Sequence, residues 1–413
     1  MSPAFNLETC ARPNILALEP YRCAREQVPP DYKDDGSNVL LDANENAYGS
    51  PLAIGANSLK SEAAAAGLDL FGLHRYPDPH QEDLKQQLCE LRNNHAHTVQ
   101  TLTPANLFVG VGSDEAIDVL LRCFCVPARD RILVCPPTYG MYGVSAQVND
   151  VGLVKVPLTA APEFGVDVPA VLAALDAAVA APEYDIKVVY LCSPGNPTGA
   201  TLKKDDIAQV LAHPTWNGIV VVDEAYVDFV EDQRTASLAE WVLEWPNLVV
   251  MQTLSKAFGM AGIRLGAAFC AAPIARLLNA LKAPYNIASP TSTLARSALT
   301  PQGLAAMQVN RAKLVSQRVR LIESLPQIPG VGRLRGGTDS NFLLYEMLNA
   351  QGQPDNAVAL AVYTKLAEQY RVVVRFRGKE HGCLGCLRIT VGTEEEMSQF
   401  LEALAKTLAE VRQ

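Results

Sequence analysis

The chain has 413 residues, of which 49% are hydrophobic and 19% charged, with a formal net charge of −9. Domains usually run to about 100–200 residues, so two or more are expected, and this composition excludes a disordered or fibrous chain. The acidic balance argues against a nucleic-acid face, which needs a basic stripe, but a few buried arginines can still build a local anion pocket.

At the N-terminus, Glu8 and Glu19 interrupt any apolar run, which disfavours a secretory signal or transit peptide. No later apolar run approaches the ~20 residues of a membrane span. The ten cysteines lack an even, closely spaced framework and read as reduced thiols. The expectation is a soluble, cytoplasmic protein without membrane or nucleic-acid partners.

Residues 1–80 read as an arm with part of a small domain, closing on the turn HRYPDPH before the helical QEDLKQQLCEL. From Asn106 onward short apolar runs predict strands at 107–111, 131–135, 152–157, 186–192, 218–224, 248–253 and 264–270. Between them lie helical patterns such as DEAIDVLLRCF and VPAVLAALDAAVAA. This alternation implies βαβ crossovers and an α/β fold, with a mainly parallel seven-stranded sheet in a large domain over 81–290. The pattern changes near Ala272, and 291–413 reads as a smaller α+β domain with strands at 341–346 and 386–391.

In an open parallel sheet, ligands sit at the carboxyl ends of the strands. Four loops fall there. VGVGSDEAIDVLL opens a helix after a glycine turn, where free N–H groups attract phosphate; its plain alternative is a helix N-cap by Ser113. SPGNPTGA places Asn196 in what is otherwise a turn. VVVDEAYVDF puts Asp223 and Tyr226 just past a buried strand, where a carboxylate is costly unless it is met by a cation or donor. TLSKAFGMAGIRLG holds Lys256 and Arg264 among small and apolar residues.

One chemistry uses all four loops. A lysine amine condenses with the aldehyde of pyridoxal phosphate, an aspartate holds the pyridine nitrogen protonated, and a tyrosine and an asparagine meet the ring oxygen. Lys256, Asp223, Tyr226 and Asn196 fill those roles. Ser255, Arg264 and the amides at Ser113–Asp114 suit the phosphate.

The order GSDE, PPTYGMY, NPTG, DEAY, SKAFGMAGIRLG and LRITVG resembles the fold type I pyridoxal-phosphate aminotransferases, class II subgroup. More closely, it is similar to the histidinol-phosphate aminotransferases, and the likeness runs from EPYRCAR through LDANEN and HRYPDPHQ to the last strand. The resemblance implies Lys256, Asp223 and Tyr226 as catalytic residues. It implies Tyr139 stacked on the cofactor ring, and Ser113, Asp114, Ser255 and Arg264 at its phosphate. Tyr76 would reach that phosphate from a partner subunit, which implies a homodimer.

Tyr21, Asn44, Arg375 and Arg388 would surround the substrate's anionic group. The implied reaction, in histidine biosynthesis, moves an amino group between L-histidinol phosphate with 2-oxoglutarate and imidazole acetol phosphate with L-glutamate. A threonine-phosphate decarboxylase and an aromatic-amino-acid aminotransferase are the alternatives on the same framework. Two departures stand out: SPGNPTG lacks the extra asparagine of many bacterial relatives, and FRGKEHGCLGCL is not their usual loop. Cys383 and Cys386 in that loop have half a zinc-like spacing without a second pair, so free thiols are expected and no metal.

Overall fold

The computed structural model of the chain describes residues 4–18, 72–181 and 183–412. Within them, seven strands build one sheet: β1 (Leu107–Val111), β2 (Arg131–Val134), β3 (Gly152–Lys155), β4 (Ile186–Cys192), β5 (Ile219–Asp223), β6 (Leu248–Thr253) and β7 (Leu265–Cys270). Their spatial order is β1-β7-β6-β5-β4-β2-β3. The pairs β2–β3, β2–β4, β4–β5 and β5–β6 are parallel, whereas β7 runs antiparallel to both β1 and β6.

Continuous β-branched and aliphatic runs form the central strands because both of their faces are covered. Every residue of β4 and β5 is buried. Alternation then divides them between two cores: Val189, Leu191, Val220 and Val222 pack on one face, and Val188, Tyr190, Ile219 and Val221 on the other. Helix Gly112–Phe124 covers the second face with Ala116, Ile117, Leu120 and Leu121, whose spacing puts them on one side of the helix.

The reversal of β7 shapes one edge of this sheet. The carboxyl ends of β1, β4, β5 and β6 point to that edge, and β7 begins there. Residues following these strands and β2, which is parallel to β4, and residues preceding β7 are thereby gathered in one place.

The second sheet is antiparallel, in the order β10-β11-β9-β8, built from β8 (Val331–Leu334), β9 (Phe342–Met347), β10 (Arg375–Phe376) and β11 (Cys386–Thr390). Helices Asn356–Tyr370 and Glu394–Val411 close its core. The 24-residue helix Pro301–Ser324 connects this core to the large sheet. Its Met307 packs with Tyr226, Phe229, Ala257 and Phe342, and its Leu321 with the small-sheet core. The cluster around Met307 brings β9 against the turn after β5.

Two strands differ from the sequence reading: β8 and β10 add to the two expected in this region. β10 has only two residues, too few for any periodicity to register. Among the described residues, no helix is long and apolar enough to cross a membrane.

Candidate active site

A cavity of about 410 Å³ opens where the strand ends converge, and β10 and β11 of the smaller sheet form its outer wall. Ser113, Asp114, Tyr139, Asn196, Asp223, Tyr226, Ser255, Lys256, Arg264, Arg375 and Arg388 all line it. Residues more than 270 positions apart in the chain thus line one cavity, because the smaller antiparallel sheet closes over the strand ends of the large one.

Asp223 ends β5 and is 3% exposed. One carboxylate oxygen accepts the Tyr142 hydroxyl at 2.6 Å, and the other accepts the Ala225 backbone N–H at 3.1 Å. Burial raises its pKa, opposed by these two hydrogen bonds and by the Lys256 charge. Tyr142 is itself fixed, stacked on Tyr190 at 4.6 Å between ring centroids. Tyr139 stands edge-on to Tyr142, and its hydroxyl donates to Asp114 at 3.1 Å.

The turn after β6 carries Lys256. Thr253 Oγ1 accepts the Ser255 backbone N–H at 3.1 Å and lies 3.0 Å from the Leu265 carbonyl, which ties this turn to the start of β7. Lys256 Nζ lies 5.7 Å from the Tyr226 ring centroid. Its pKa is lowered, first by burial and then by the Arg388 guanidinium, while Asp114 and Asp223 oppose the shift. An amine held in this way loses its proton more readily than an exposed lysine.

Helix Gly112–Phe124 begins differently from the capped reading. Its N-cap is Val111, no side chain caps its first turn, and Ser113 lies inside the helix. A side-chain cap by Ser113 is therefore excluded, and the helix start faces the cavity with first-turn N–H groups free of a side-chain cap. Arg264 closes the other side with its guanidinium 3.5 Å from Asp114, and its backbone sits in the left-handed region at φ 54°. Its carbonyl accepts the Gly112 N–H at 3.0 Å.

Gly266 permits this close approach. A Cβ there would stand 2.3 Å from Ser113 N and 2.4 Å from the Gly112 carbonyl carbon. Backbone cannot rotate away, so Gly266→Ala is expected to cost about 1–3 kcal/mol and to push the helix start out of place. Thermal unfolding, alongside titration with pyridoxal phosphate, measures both effects.

On the outer wall, Arg388 Nη1 donates to Asn196 Oδ1 at 2.6 Å, and its Nε is buried without a hydrogen-bond partner. Tyr226 packs edge-on against Phe342 with ring centroids 5.1 Å apart. Tyr76 stays outside the cavity of its own chain: it is 54% exposed and stacks on Tyr285 at 4.5 Å. Tyr21 and Asn44 lie outside the described residues. All nine described cysteines are free and buried. Burial pushes the Cys383 thiol up to about 12 and raises Cys386 as well, so neither is a thiolate at neutral pH. No group of three or more metal-ligating side chains occurs among the described residues.

The sequence reading missed Tyr142, Thr253 and Arg377. Tyr142 stands in the quoted PPTYGMY, three places after Tyr139, but its hydroxyl reaches Asp223 only because β4 supplies Tyr190 to hold the ring.

Residues 37–404 match the family model of aminotransferase class I and II. The chain belongs to this aminotransferase family. Among relatives of the aminotransferase, a protein of Schizosaccharomyces pombe named histidinol-phosphate aminotransferase is 49% identical over 408 residues, covering 98% of each chain. One of the same name from Candida maltosa is 48% identical, covering 99% of this chain and all of its own. The solved structure of histidinol-phosphate aminotransferase from Sinorhizobium meliloti, in complex with pyridoxal-5'-phosphate, aligns with a TM-score of 0.71 at 24% identity. It covers 89% of this chain and 90% of that one. The fold is that of the pyridoxal-phosphate aminotransferases, with the large mainly parallel sheet and the small antiparallel one.

The donor set fits a phosphorylated pyridine aldehyde. The helix start free of a side-chain cap and Arg264 suit a phosphate. Asp223, fixed by two donors, suits a protonated ring nitrogen. The half-buried Lys256 offers an amine to such an aldehyde.

Proposed function

We propose that this aminotransferase binds pyridoxal 5'-phosphate and transfers an amino group between L-histidinol phosphate and 2-oxoglutarate, as a homodimer. The observation that carries the reading is the placement of Lys256 between the buried Asp223 and the arginine wall of β10 and β11. Near 50% identity over the whole chain to relatives named for this reaction supports the substrate.

Each residue then has a part in this chemistry. Ser113, the Asp114 N–H, Ser255 and Arg264 hold the cofactor phosphate, joined by Tyr76 of a second subunit. Tyr139 covers the ring face, Asn196 and Tyr226 address the ring oxygen, and Asp223 keeps the ring nitrogen protonated. When bound, pyridoxal phosphate supplies an aldehyde for the amino group and a ring that takes up electrons from the substrate carbon. Lys256, whose pKa is lowered by burial and by Arg388, takes the proton from the carbon bearing nitrogen. Arg388 and Arg375, with Tyr21 and Asn44, receive the carboxylate of glutamate or the phosphate of histidinol phosphate.

A substrate panel tests this. Purified holoenzyme is expected to form glutamate from 2-oxoglutarate with histidinol phosphate, and far less with phenylalanine. Release of carbon dioxide from threonine phosphate, with no glutamate formed, would instead identify a decarboxylase.

A further inference from the structure

β10 and β11 bring like charges together. Arg375 stands directly opposite Arg388 in the antiparallel register. Like charges in that position destabilise a strand pair. Arg377, two residues beyond Arg375, comes to the same face of the strand and lines the same cavity. Its backbone N–H continues the ladder by donating to the Cys386 carbonyl at 2.9 Å.

The loop beyond is firmly held. The Asn356 side chain donates to the Gly378 carbonyl at 2.9 Å and accepts the Gly385 N–H at 2.7 Å. Arg377 is therefore a fixed group and not a solvated rim residue. Its Nη1 pairs with Glu380 at 2.7 Å, while its Nε is buried with no hydrogen-bond partner, as is the Nε of Arg388. The Arg377 charge also helps to lower the pKa of Arg388, so the two guanidiniums feel each other.

Three guanidiniums against one carboxylate leave two net positive charges on this wall. A monoanionic carboxylate is met by the planar fork of Arg388 with Arg375 beside it. A phosphomonoester carries nearly two negative charges and three terminal oxygens, and so can engage Arg377 as well. Building on the substrate reading above, we propose that Arg377 is the specificity-determining residue that favours a phosphomonoester dianion over a carboxylate at this wall, with Glu380 positioning it. The sequence reading assigned it no role.

The test compares Arg377→Gln with the unsubstituted holoenzyme in three measurements: kcat/KM for histidinol phosphate, kcat/KM for glutamate, and the Kd of inorganic phosphate by calorimetry at low salt. Loss of a charge-assisted contact is expected to lower kcat/KM for histidinol phosphate and weaken inorganic phosphate binding by about 10- to 100-fold. Glutamate should change within about threefold, which also shows that the variant folds. Equal losses for both substrates, or unchanged phosphate binding, would overturn the assignment. If the unsubstituted enzyme leaves histidinol phosphate untouched while the substitution still abolishes phosphate binding, the substrate reading fails and the role of Arg377 stands.

Discussion

Lys256→Ala is expected to lower turnover by about 10⁴-fold or more, the upper range for one general acid–base group, because on the proposed reading the same amine also anchors the cofactor. Borohydride treatment of the unsubstituted holoenzyme should fix a pyridoxyl group on the peptide Leu254–Met260, and the variant should carry none. Folding is not expected to suffer. The half-buried ammonium is disfavoured by burial and by the positive charge of Arg388, so its removal relieves a cost. Lys256→Arg separates charge from chemistry: its guanidinium cannot deprotonate near neutral pH, and it should be as inactive as alanine. A variant with near-normal turnover, or a pyridoxyl label elsewhere, would sink the assignment.

The sequence was most legible where local pattern and topology agree. The seven strands of the large sheet could be read because each is a short apolar run between helical spacings, and the strand-end rule then gathered Asn196, Asp223 and Lys256 into one site. What stayed hidden was direction and register. An apolar run looks the same in either direction, so nothing in LGAAFC tells that β7 is reversed, yet this reversal brings Arg264 and Gly266 to the helix start. Arg377 was hidden for a similar reason. Its meaning depends on Arg375 lying opposite Arg388, a pairing fixed by the intervening loop and by Asn356. The cap at Ser113 was misplaced because Arg264 and Gly266, far along the chain, set where the helix begins.

Asp223→Asn is expected to separate function from stability. Asparagine has the same shape but no charge, so the protonated ring nitrogen of the proposed cofactor would lose its counter-charge. Losing a preorganised charge of this kind lowers kcat by about 10²–10³-fold. In the cofactor-free protein the sign is opposite. Burial raises the folded-state pKa of Asp223 above its ordinary carboxylate value, so the unfolded chain ionises first. From the ordinary carboxylate range upward, until the raised pKa is passed, increasing pH therefore costs stability, and that cost persists at neutral pH. The asparagine variant carries no such cost, while the Tyr142 hydroxyl and the Ala225 N–H keep a side-chain partner. Thermal unfolding of the two apo-proteins between pH 4 and 8 should show the variant gaining on the unsubstituted protein as pH rises. A variant that loses stability across this range would mean that Tyr142 and Ala225 stabilise the ionised carboxylate by more than burial penalises it. Asp223 would then be a structural anchor as much as a cofactor ligand.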